Sequence, residues 1–136
     1  MQTHTDIINA YFHEVWNNGQ LHLLDSLLTA DYVNHTPSGP PPVPGPEGLK
    51  PIVTAMRKAI PDMHYTIDEM IVSDTVIVVR VTFTGTQTGD LFGLPPTGKK
   101  FSVSQINIEH FRDGRIASHY RITDELGMLR QLGVVN

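Results

Sequence analysis

FSVSQINIEHFRDGRIASHYRIT, residues 101–123, reads as two β-strands joined by a tight turn. Asp113-Gly114 is the strongest short hairpin signal, because the favoured two-residue turn needs positive φ, which glycine adopts freely and aspartate tolerates. Phe101 to Phe111 is therefore an outgoing strand and Arg115 to Thr123 its return. The turn leaves two registers open. A plain two-residue loop sets Arg112 opposite Arg115 and Asn107 opposite Tyr120. A three-residue loop, with Gly114 left-handed and a bulge, moves the pairing by one and sets Asn107 opposite His119 and Gln105 opposite Arg121. Side chains directly opposite one another lie about 5 Å apart, so the second register gathers Gln105, Asn107, His119 and Arg121 around one bound molecule.

Upstream of this hairpin the period is also two, from His64 onward. Tyr65 and Ile67 alternate, Ser73-Asp74-Thr75 marks a turn, and Val76 to Thr84 is a β-branched run with Ile77, Val79, Val81 and Phe83 on one face. Before His64 the spacing is helical. Ile7, Ile8, Tyr11, Phe12, Val15 and Trp16 form two rows four apart, with Thr3-x-x-Asp6 as a capping signal and Asn17-Asn18-Gly19 as the stop. Leu21, Leu24, Leu27 and Leu28 predict a second, short helix, and Asp31 to His35 an extended segment. Pro37 to Pro46 is almost all proline and glycine, a stiff surface loop. Leu49, Ile52, Val53, Met56 and Ile60 predict a third helix that stops at Pro61; Pro51 fits it without loss only inside the first turn, where a missing N–H costs nothing. Leu126, Leu129 and Leu132 predict a closing helix, with Asp124 as its N-cap. Helices, then a meander of about four strands, then a small helix define an α+β domain spanning residues 1–136. Its curved antiparallel sheet, closed by helices, makes a cone with an interior.

The bulk properties narrow the function. A chain of 136 residues is one domain by length and can bury a proper core. It contains no cysteine, which removes disulfides, thiolate zinc sites and thiol nucleophiles. The net charge of −4 and the absence of any basic cluster beyond pairs argue against nucleic acid. No apolar run is long enough for a membrane span and no leader-like segment opens the chain, so a cytoplasmic protein without a membrane partner is expected. Seven histidines are scattered without H-E-x-x-H or H-x-H spacing, so no metal site is expected.

Residues 88–102, TGDLFGLPPTGKKFS, keep Leu91, Phe92 and Leu94 in a loop that should be polar. Together with Asp-Tyr-Val-Asn-His at 31–35, Gly-Pro-Glu-Gly at 45–48, Gly-Leu-Pro-Pro-Thr-Gly-Lys at 93–99, Phe-Arg-Asp-Gly-Arg-Ile at 111–116 and Leu-Arg-Gln-Leu-Gly at 129–133, this loop resembles the SnoaL-type polyketide cyclase family. The resemblance covers nearly the whole chain and implies the nuclear-transport-factor-2-like α+β barrel fold. It implies that the apolar loop closes the cone or meets a second subunit, that the protein pairs as a homodimer, and that it works without a cofactor.

The family's reaction is an intramolecular aldol closure: a base removes an acidic C–H beside carbonyls, and hydrogen bonds hold the enolate. Carried over by position, the pocket asparagine, glutamine and histidine are Asn34, Gln105 and His119. The catalytic aspartate's position is occupied by Arg121, and its partner histidine's by Asn107. A guanidinium stays protonated near neutral pH, so Arg121 cannot act as base, although it can hold a carboxylate or enolate. The remaining base is His119, since an imidazole's ordinary pKa of about 6.5 suits proton transfer. His119 and Arg121 are thus the expected catalytic pair. Asn34, Gln105, Asn107, Tyr11, Trp16 and Met56 are expected to contact a small apolar ligand carrying carbonyl or carboxylate groups. Two other functions stay open: a non-catalytic ligand-binding or scaffold protein, and epoxide opening, which requires Glu109 or Asp68 to point inward.

Overall fold

The computed structural model describes residues 2–136. Helix α1 (His4–Ala10) starts on a capping box, with Thr3 Oγ1 accepting from the Asp6 N–H and the Asp6 carboxylate accepting from the Thr3 N–H. It continues as a π-helical segment, Tyr11–Asn17, in which Tyr11, Phe12, Val15 and Trp16 are buried. Arg57 caps the exit, Nη1 donating to the carbonyls of Trp16 and Asn17 at 2.7 Å each. A 3₁₀ turn (Leu21–Leu23) and α2 (Leu24–Leu27) follow.

Leu28, assigned to the second helix by its spacing, instead opens strand β1 (Leu28–Asn34). The meander accounts for four strands, β2 (His64–Val72), β3 (Val76–Thr86), β4 (Lys100–Arg112) and β5 (Arg115–Thr123). β1 adds a fifth, running parallel to β5, in the order β1-β5-β4-β3-β2. The sheet is open, with β1 and β2 as its edges. The long proline loop is tied back where the Gly45 N–H donates to Tyr32 O at 2.7 Å. Gly45 has φ 85°, and a Cβ there would stand 2.5 Å from Ala30 O, so only glycine fits. Helix α3 (Pro46–Ala59) follows; Pro51 lies in its second turn, not its first, and so removes an interior hydrogen bond. Helix α4 (Glu125–Gln131) closes the chain, with Asp124 Oδ1 accepting from the Gly127 N–H at 3.0 Å as its expected N-cap.

The hairpin matches neither expected long-range pairing. Asp113 and Gly114 have φ of 52° and 73°, so the turn is the plain two-residue loop, and Arg112 does face Arg115. Ala117 is then an extra residue: Phe111 pairs with Ile116 but His110 with Ser118. Beyond this bulge Asn107 faces Arg121, Glu109 faces His119 and Gln105 faces Thr123. A bulge shifts the phase of side chains by one. The bulge therefore turns His119 and Arg121 to the face that Gln105 and Asn107 occupy.

The core lies between that face and the helices. Ile77, Val79, Val81 and Phe83 from β3 meet Ile7, Ile8, Phe12, Val15, Leu49 and Val53 from the helical layer. Each such buried side chain contributes about 1.5–3 kcal/mol. Among the described residues, no helix is long and apolar enough to cross a membrane.

Candidate functional site

The inner face of β4 and β5 changes from apolar to polar along its length. Phe101 and Val103 belong to the core, whereas Gln105, Asn107, Glu109 and His119 are polar and at most 3% exposed. Buried polar groups need partners. Asn107 Nδ2 donates to Gln105 Oε1 at 3.1 Å, and Gln105 Nε2 donates to Thr123 Oγ1 at 2.9 Å. Glu109 Oε1 and His119 Nδ1 share a hydrogen bond. Glu109 Oε2 has no partner among the described residues. Burial pushes the Glu109 carboxyl above the usual range, against the opposing pull of His119 and Arg121.

Arg121 is half-buried and held by neutral oxygens. Its N–H donates to Thr36 Oγ1 at 2.7 Å, and its Nη2 donates to Thr36 O at 3.1 Å and to Ser38 Oγ. Among the described residues no carboxylate forms an ion pair with it. Its Nη1 and Nε are therefore donors left for something else. Asn34 is brought beside His119 by the parallel β1–β5 pairing, and its Oδ1 accepts from the Thr36 N–H at 3.0 Å. β1 thus delivers both Asn34 and the Thr36 that fixes Arg121.

Two spaces adjoin this face. The larger, about 250 Å³, has apolar walls that include Met56, Phe83, Met128 and Leu129, and a polar end formed by Gln105, Arg121, Thr123 and Glu125. The smaller is a recess of about 10 Å³ lined by Tyr11, Trp16, Asn34, Asn107 and His119, among others. Tyr65, Gln105 and Arg121 line both. The eight residues expected from the sequence thus divide: Met56 belongs to the chamber, five belong to the recess, and Gln105 and Arg121 stand between.

The loop from Thr88 to Lys99 owes its order to Gln87, which is fully buried. Its Nε2 donates to the carbonyls of Gly89, Leu94 and Pro95, and its Oε1 accepts from the N–H and Oγ1 of Thr97. Leu91, Phe92 and Leu94 line the chamber, so its apolar residues form one wall. Phe92 stands at the mouth, 44% exposed.

The sequence named Glu109 only for the epoxide alternative and not for the acid/base site, although it is in phase with Gln105 and Asn107. A carboxylate in register with an apolar face was the available signal. Of the two acids that epoxide opening required, Glu109 points inward; Asp68 points outward and accepts from Thr82 Oγ1 at 2.6 Å. Tyr65, Thr36 and Ser38 were also missed; they carry no motif and reach the site only through the fold.

A helix-covered open sheet with a polar interior end and an adjoining chamber defines a nuclear-transport-factor-2-like α+β protein. The chain belongs to the SnoaL-like polyketide cyclase family, whose sequence profile matches residues 6–132. It is 29% identical to the aklanonic acid methyl ester cyclase DnrD of Streptomyces peucetius, with 98% of this chain and 92% of that protein covered. It is 30% identical to the aklanonic acid methyl ester cyclase DauD of Streptomyces sp. strain C5, with 88% and 76% covered. Among solved structures, TsrD from Streptomyces laurentii superposes with a TM-score of 0.88 at 30% identity, covering 96% of this chain and 95% of that one. IdmH from Streptomyces antibioticus superposes with a TM-score of 0.81 at 33% identity, covering 96% and 98%.

Proposed function

We propose that this protein is a cofactor-independent acid/base enzyme acting on a small, apolar, polyketide-like compound that carries a carbonyl or carboxylate group. The observation that carries this reading is the placement of His119 and Arg121 on one inner face. One is a titratable base, and the other is a cation held only by neutral oxygens. The cyclase names of the relatives support the reaction class. His119 takes the proton from a carbon beside a carbonyl, and the C–H electron pair becomes an enolate. Arg121 and the Gln105 and Asn107 amides stabilise its oxygen. The enolate then attacks a carbonyl, or is reprotonated by His119 at another carbon. These outcomes are cyclisation and isomerisation. Arg121 does not replace the aspartate's base function; it supplies charge where the transition state develops it.

The experiment incubates the protein in deuterated buffer with a panel of aromatic β-keto esters and β-keto acids and follows loss of the acidic C–H signal by NMR. Catalysed exchange that is abolished in His119→Gln is the expected result. Binding without exchange would make the protein a ligand carrier, and neither binding nor exchange would leave a scaffold. The inward Glu109 favours epoxide opening as the second reading, and formation of a diol from an epoxide in the same panel would establish it.

The outer sheet face, with Ile106, Tyr120 and Ile122 exposed, is our proposed contact of a homodimer.

A further inference from the structure

Glu109 is 0% exposed, its Oε1 bonded to His119 and its Oε2 to nothing among the described residues. A carboxylate so placed is costly in any state. Ionised it lacks solvent, and protonated it has only His119 Nδ1 as an acceptor. Its surroundings offset this cost only in part: His119 and Arg121 favour the ionised carboxylate, and burial opposes it. Its same-face strand neighbours are the neutral Asn107 on one side and the apolar Phe111 on the other, and neither calls for an acid. The bond to His119 does. It occupies Nδ1, so Nε2 is the ring nitrogen left for the recess that His119 lines.

Resting on the acid/base reading above, we propose that Glu109 is the positioning residue for His119. By accepting from Nδ1–H it fixes the imidazole tautomer whose lone pair is on Nε2 and holds that atom toward the recess and Arg121. In the reaction, Nε2 takes the proton of the acidic carbon, and the C–H electron pair becomes the enolate π bond. The ring becomes an imidazolium facing the Glu109 carboxylate, and Nε2 later returns the proton to the product. Nothing is oxidised or reduced. An orienting carboxylate of this kind acts through the histidine and touches no substrate.

The first test needs no substrate and no variant. Two-bond ¹H–¹⁵N correlation spectra of the ¹⁵N-labelled protein identify which nitrogen of neutral His119 carries hydrogen. The Nδ1–H tautomer is expected, and an Nε2–H tautomer would overturn the proposal. In Glu109→Gln the amide can turn its NH₂ toward Nδ1, so the tautomer should change. The exchange reaction should then slow by about 100-fold or more in kcat with KM little changed, since a positioned general base is worth about 10²–10⁴-fold. An unchanged kcat in a folded Glu109→Gln variant would also overturn it. If the wild type exchanges no compound in the panel, the enzymatic reading fails while the tautomer spectrum still decides the role of Glu109; if Glu109→Gln does not fold, the wild-type spectrum decides alone.

Discussion

Arg121 and Asp62 show how much a single side chain's surroundings determine. Arg121 has neutral acceptors and spare donors, so Arg121→Ala should weaken binding of a carboxylate ligand by about 1.5–3 kcal/mol, as for a hydrogen bond to a charged group. Calorimetric titration should show this with the melting temperature preserved. An unchanged affinity would remove Arg121 from the site. Asp62, near the surface, accepts from the Thr86 Oγ1 and N–H at 2.7 Å each, and these bonds hold its carboxyl below the ordinary aspartate value. A carboxyl lowered by folding contributes stability above its unfolded pKa and loses it as pH falls through the folded one. Wild type should therefore lose stability below about pH 3.8 more steeply than Asp62→Asn, as read by denaturant titration across pH. At this scale the sequence was legible wherever a residue type is rare in its context: His119, Arg121 and the Asp124 cap stood out. Glu109 was legible by phase but not by motif. Thr36 and Ser38 were not legible, because nothing in the chain indicates that β1 will lie beside β5.

Among the elements, helix α3 and the loop before β4 carry the clearest tests. Pro51 sits in the second turn of α3 with its side chain exposed, so Pro51→Ala restores an interior hydrogen bond and should raise stability by about 1–3 kcal/mol. Unchanged or lowered stability would mean that the proline's restriction of the unfolded chain outweighs the bond. Gln87→Ala strands several loop groups at once and should cost about 1–3 kcal/mol. Hydrogen exchange should then localise lost protection to residues 88–99, and a loss spread evenly through the sheet would contradict this anchoring role. The strands of the meander were legible in their period of two, and their turns in Ser73-Asp74-Thr75 and Asp113-Gly114. The bulge was not. Ala117 carries no glycine or turn signature, so no local propensity records the extra residue.

For the molecule as a whole, the open sheet leaves an outer face that the helices do not cover. Ile122 there is 75% exposed, and Ile106 and Tyr120 are nearly half so. Sedimentation at micromolar concentration should give a dimer mass for the wild type and a monomer mass for Ile122→Lys; a monomeric wild type would refute the proposed pairing. The fold class was legible because helices and strands separate cleanly along the chain. The parallel fifth strand was not, since a segment of seven residues after a helix announces no partner.

The extra residue at Ala117 also bears on how such a protein changes over generations. A substitution on the inner face rewrites one letter of the chemistry and leaves the frame standing, which is how an arginine can occupy a position where relatives are expected to use an acid. Deletion of Ala117 would instead invert the reading of everything after it, turning Tyr120 and Ile122 inward and His119 and Arg121 out to solvent. The site is therefore free to drift in content but locked in phase. Length polymorphism should be tolerated in the proline loop and purged from the hairpin.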